Sequence, residues 1–126
     1  MWCDLMSLLI SLIPKDNNFD AEELEKYIPE PYNNLFGFEG YRQSVWGNEI
    51  IKEIGCDLIY SLKDGDIYAF DEKLQELKNE LKVIVSNIEF LKSKEIGDDF
   101  IGFRVNNALE AIRVAEQYKD IGVWIG

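Results

Sequence analysis

DEKLQELKNELKVIVSNIEFL, residues 71–91, carries the clearest periodicity in the chain. Leu74, Leu77, Leu81, Ile84, Ile88 and Leu91 stand 3, 4, 3, 4 and 3 residues apart, so on a helix they share one stripe. The spacing predicts a helix starting near Asp71, with Asp71 and Glu72 where the helix dipole favours carboxylates. The stripe reads as buried core or, being short for one, as a coiled-coil seam. Upstream, Ile50, Ile51, Ile54, Leu58 and Leu62 recur at helical intervals and predict an amphipathic helix over 48–62, weakened by Gly55. The turn Lys63-Asp64-Gly65-Asp66 and the apolar Ile67 to Phe70 connect the two helices, which are expected to pack antiparallel.

Downstream, Phe100 to Val105 (FIGFRV) and Ile121 to Ile125 (IGVWI) read as short strands. Between them, Ala108, Leu109, Ile112 and Ala115 mark one face of a helix over 106–120, capped by Asn106 or Asn107. Strands so connected pair in parallel through a right-handed crossover, a minimal βαβ-like ending. At the other end, Trp2, Leu5, Met6, Leu9, Leu12 and Ile13 have helical spacing, and MWCDLMSLLISLI reads as a core helix stopped by Pro14. It carries Asp4 and lacks both the basic start and the cleavage site of a signal peptide. It is also shorter than the roughly 20 residues that cross a bilayer. Asp20 and Glu23 form a capping-box pattern for a helix over 21–28. Pro29 and Pro31 stop that helix, and the aromatics, asparagines and glycines of 32–41 read as an ordered, irregular loop. The expected fold is α+β: a single helix-rich domain over residues 1–126 with a short C-terminal βαβ-like element.

The charge balance of 13 Lys and Arg against 24 Asp and Glu gives −11, which repels nucleic acid and anionic lipid and attracts basic surfaces. Direct binding to nucleic acid or to a membrane is not expected. The chain contains 0 histidines, so the side chain most often used as a general base is absent. Cys3 and Cys56 form no metal-binding or disulfide pattern and read as reduced thiols of a cytoplasmic protein. No serine lies in a nucleophile elbow, and Gly37 to Gly40 is not a phosphate loop. The acids Asp64, Asp66, Asp71 and Glu72 invite a calcium reading, but an EF-hand counted from Asp64 would need glycine and glutamate where Ala69 and Gln75 stand. No metal, no cofactor and no catalysis are expected.

Two groups remain as candidate binding residues. Asp64, Asp66, Asp71 and Glu72 form either a solvated face or a surface matched to a cationic partner. Tyr32, Phe36, Phe38 and Tyr41 either anchor a partner or cover one end of the core.

Trp46-Gly47 before an apolar helix, Leu62-Lys63-Asp64-Gly65-Asp66-Ile67, then Asp71-Glu72-Lys73-Leu74-Gln75-Glu76-Leu77, together with FIGFRVNNALEAIRVAEQYKDIGVWIG over 100–126, form a pattern. It resembles the small cytoplasmic immunity proteins of bacterial polymorphic-toxin and contact-dependent growth inhibition systems. The resemblance implies tight, specific neutralisation of a cognate toxin domain, commonly a nuclease, by occluding its active site or holding it in an inactive form; the charge of −11 suits a basic target, and a monomer before stoichiometric complex formation is expected. It supplies no catalytic motif and transfers no site residue. An acidic adaptor or nucleic-acid mimic acting on a basic host factor has the same composition.

Overall fold

The computed structural model describes residues 6–16 and 20–126. Strand β1 (Ser7–Pro14) alternates buried Leu8, Ile10 and Leu12 with the more exposed Ser7, Leu9, Ser11 and Ile13. The helix predicted through residue 13 is therefore corrected to a strand over 7–14, its first five positions lying outside the described residues. Both readings fit the residues, because a run this apolar satisfies a period of 2 as easily as 3.6, and Ser7 and Ser11 share a face in either. Strand pairing decides it.

Asp20 caps a 3-10 helix over Ala21–Tyr27, its Oδ1 accepting from the Glu22 N–H at 3.1 Å. The segment expected to be an irregular loop contains strand β2 (Leu35–Phe38), and a π-helical turn (Arg42–Trp46) follows. The helix expected over 48–62 is broken into α1 (Glu49–Glu53), α2 (Asp57–Tyr60) and a 3-10 turn (Ser61–Lys63). Gly55, at φ +92°, makes the break. The buried Glu80 carboxylate then caps the new start, accepting from Ile59 N at 2.9 Å and Leu58 N at 3.1 Å.

Strand β3 (Ile67–Ala69) leads into α3 (Asp71–Ser86), and after Asn87 the stripe continues in α4 (Ile88–Ser93). Leu74, Leu77, Leu81, Ile84 and Leu91 are buried, as the spacing predicts. The main neighbour of α3 is α5 (Ile101–Ala115), with α2 also packed on it, rather than the preceding helix alone. FIGFRV is not a strand: Phe100 is the N-cap of α5 and Ile101 to Val105 are its first residues. Ile101, Val105, Ala108, Ile112 and Ala115 repeat the 4, 3, 4, 3 spacing and are all buried. The Asp98 Oδ1 accepts from Phe100 N at 2.8 Å and opens the helix before the asparagines expected to cap it.

Strand β4 (Ile121–Ile125) completes one sheet of order β2-β1-β4-β3, in which every pair is antiparallel. The expected βαβ-like ending is thus overturned, since its first strand is helical and β4 pairs antiparallel with β1 and β3. The protein is a mixed α+β fold, with 53% helix and 17% strand among the described residues. One hydrophobic cluster joins strands to helices.

Candidate partner-binding surface

Along each strand, alternate side chains point to opposite faces. Leu8, Ile10, Leu12, Ile67, Ala69, Val123 and Ile125 form the face packed into the core. Leu9, Tyr68 and Trp124 belong to the other face, with Leu9 39% and Tyr68 53% exposed. Tyr68 and Trp124 stand directly opposite each other in the β3–β4 register. Their rings stack 5.8 Å apart and within 5° of parallel. Gly122 and Gly126 share Trp124's parity on β4 and its edge. A β-carbon on Gly122 would strike the Phe70 ring, and one on Gly126 would strike the Asp66 carboxylate. Trp124 therefore sits between an aromatic ring and an acid.

Asp66 fixes it there, its Oδ2 accepting from the indole Nε1–H at 3.1 Å while its Oδ1 pairs with Arg42 Nη2 at 2.6 Å. Arg42 also donates to Glu39 at 2.5 Å and to the carbonyls of Leu62 and Gly65, each at 3.0 Å. The planar guanidinium suits such a hub, because its donors are held in fixed directions. Its hydrogen bond holds the Asp66 carboxyl below the ordinary 3.8, against the upward push of burial and with help from the indole.

The other predicted acids do not join this cluster. Asp64 is well exposed, with Lys63 Nζ 3.8 Å away. Asp71 pairs with Lys15. Glu72 borders a groove of about 530 Å³ shared with Asp57, Glu76 and Glu80. Among the described residues, no group of three or more acids or cysteines is placed to hold a metal ion.

The predicted aromatics separate as well. Phe36 is fully buried and stacks on Trp46 at 4.3 Å, so its assignment as a surface anchor is corrected: it belongs to the core. Tyr32 is half-buried and stacks on Phe103 at 5.6 Å. Phe38 and Tyr41 meet edge to face at 6.0 Å and enclose Arg104 together with Phe100. Arg104 is 7% exposed, lies 4.8–5.8 Å from the three ring centroids, and has an Nη1 3.5 Å from Asp98 Oδ2 without hydrogen-bond geometry. Cation–π contact takes the place of the missing hydrogen bond. Burial raises Asp98, but the Tyr41 hydroxyl, the Phe100 N–H and the Arg104 charge outweigh it and bring its carboxyl below 3.8.

Tyr68, Trp124 and Leu9 were not candidates in the sequence. The signal was there in parity: Tyr68 between Ile67 and Ala69, and Trp124 between Val123 and Ile125, are the off-phase residues of their strands.

These shifts set a pH profile. Burial pushes the Glu80 carboxyl above its ordinary 4.5, with the Leu58 and Ile59 N–H groups opposing. An acid raised by folding contributes stability below its unfolded pKa, and this is lost as pH rises through the folded value. Asp66 and Asp98 contribute stability above 3.8, lost as pH falls through their lowered folded values. Urea midpoints should therefore rise on acidification from neutrality toward 4.5 and fall again below 3.8. Glu80→Gln should flatten the rise, and a variant that keeps it in full would refute the role given to Glu80.

The fold and this surface define a small α+β protein with a partly aromatic outer sheet face on which Leu9 and Tyr68 are exposed and Trp124 is half-buried. No protein family, characterised protein or solved structure matches the chain. Among the described residues, no helix is long and apolar enough to cross a membrane.

Proposed function

We propose that this protein is an immunity-type inhibitor that binds a basic toxin domain stoichiometrically in the cytoplasm and turns nothing over. The observation that carries the reading is the stacked Tyr68–Trp124 pair, Tyr68 exposed and Trp124 half-buried on the sheet face turned away from the core and held by Asp66, in a chain of net charge −11. Aromatic anchors supply most of the energy at interfaces, and the surrounding charge steers encounter. A basic nuclease, which must expose cations to hold a polyanion, is the complementary target.

The acids then divide by their surroundings. Asp64 and Glu72 act at long range, so Asp64→Asn with Glu72→Gln should slow association several-fold, weaken its salt dependence and leave dissociation unchanged. Asp66→Asn should also speed dissociation, because it loosens Trp124. The test mixes the purified protein with the toxin domain encoded beside it and follows both rates and residual toxin activity across salt concentrations. No complex would overturn the proposal, as would inhibition far below one-to-one stoichiometry. A complex with a basic host protein instead would favour the adaptor reading.

A further inference from the structure

The exposed aromatic rings of this protein differ in whether the chain supplies them with a cation. Lys26 Nζ lies 5.3 Å from the Tyr27 centroid and Lys94 Nζ 5.7 Å from that of Phe90. Lys52 and Lys63 lie over Tyr60 at 5.6 and 5.2 Å, and Arg104 serves Phe38 and Phe100. Among the described residues, neither the exposed Tyr118 nor the Tyr68–Trp124 stack has such a cation, and the stack presents two near-parallel rings side by side on the face turned away from the core. It has an acid instead: the Asp66 carboxylate against Trp124, with each oxygen retaining a lone pair beyond the bonds to Arg42 and the indole.

We infer that Tyr68 and Trp124 form a seat for an arginine side chain supplied by the partner. The inference rests on the proposal that the partner is basic and names the chemistry of that site. Two near-parallel rings present a flat face to a planar guanidinium, which is weakly hydrated and stacks where an ammonium keeps its water. Asp66 is already paired with Arg42, but Arg42 is shared with Glu39, so two carboxylates against one guanidinium leave the cluster beside Trp124 net negative and favour a further cation. A second copy of the protein is the other occupant such a sheet face invites. It would bring a further −11 to the same surface, and the charge disfavours it.

The test uses the full chain, 15N-labelled, at low salt, titrated with the tripeptide N-acetyl-Gly-Arg-Gly-amide and its lysine counterpart. The expected result is a saturable shift of the Trp124 indole N–H, with the buried Trp46 indole unmoved and the lysine peptide binding several-fold more weakly. Tyr68→Ala should weaken arginine binding about tenfold, the scale of a favourable cation–π contact. Tyr68→Phe keeps the ring and should keep the binding, so the comparison holds even if Tyr68→Ala disturbs the fold. Shifts spread over the acidic residues with Trp124 still, or equal binding by both peptides, would overturn the inference. So would a dimer dissociated by Tyr68→Phe or Tyr68→Ala. A toxin domain captured equally by wild type and Tyr68→Ala would overturn the seat and leave the inhibitor reading standing. Peptide binding without capture of the toxin domain would do the reverse.

Discussion

Trp46→Ala should cost about 3–5 kcal/mol, the range for removing a buried tryptophan, and thus consume much of the 5–15 kcal/mol typical of a domain. Trp46 is completely buried. Its ring lies 4.3 Å from that of Phe36 at 15°, Tyr41 meets it edge-on at 6.3 Å, and its Nε1–H donates to the Phe36 carbonyl at 3.1 Å. Alanine would open a cavity between the π-helical turn and strand β2 and leave that carbonyl without its indole donor. Trp46→Phe keeps most of the volume and loses only the hydrogen bond, so it should cost about 1–3 kcal/mol. Urea unfolding of both variants measures the difference. A Trp46→Ala loss below about 1 kcal/mol would show that the stack is not core.

Leu81→Ala is expected to cost about 2–5 kcal/mol, and Leu77→Ala the same. Both side chains are fully buried on α3 where it meets α5 and α2. Val85, four residues beyond Leu81, is 41% exposed, and Val85→Ala should stay within about 0.5 kcal/mol. A helix that served instead as a dimer seam would give a different pattern: the stability of the wild type would rise with the logarithm of protein concentration, and Leu81→Ala would weaken that dependence. Denaturation at two concentrations separates core from seam.

The stripe over 71–91 was legible because six apolar residues with intervening charges admit one period. The stretch 7–13 was not, since almost every position is apolar and the deciding information is the pairing of β1 with β2 and β4. FIGFRV misled through its aromatic and β-branched content and Gly102, features that favour strand over helix. Burial of Ile101 and Val105 overrode that preference, and the repeat in 101–115 matching that of 74–91 was visible but outweighed. Asn107 shows the same limit from the polar side. Expected as a helix cap, it is buried within α5, where its amide donates to Asn33 Oδ1 and Leu35 O, each at 2.9 Å, and accepts from Asn33 N at 3.0 Å. It pairs the Leu35 carbonyl at the start of β2, a task set by a strand 72 residues earlier that local spacing does not record. At the candidate surface, composition pointed to acid and aromatic residues together. Which ones meet depends on β3 lying beside β4.

The last strand along the chain occupies an inner place in the sheet, between β1 and β3. During synthesis, therefore, β1 and β3 emerge long before the strand that joins them, and the sheet cannot close until residues 121–125 have left the ribosome. Such closure over most of the chain is slow compared with helix formation. Meanwhile Leu8, Ile10 and Leu12 offer an unfilled apolar face to any other unfinished chain. The acids of the emerged segments, from Asp20 to Glu80, outnumber the bases there, and the resulting repulsion between copies opposes those encounters, so the acidity proposed to draw in a basic partner also acts before the sheet has closed.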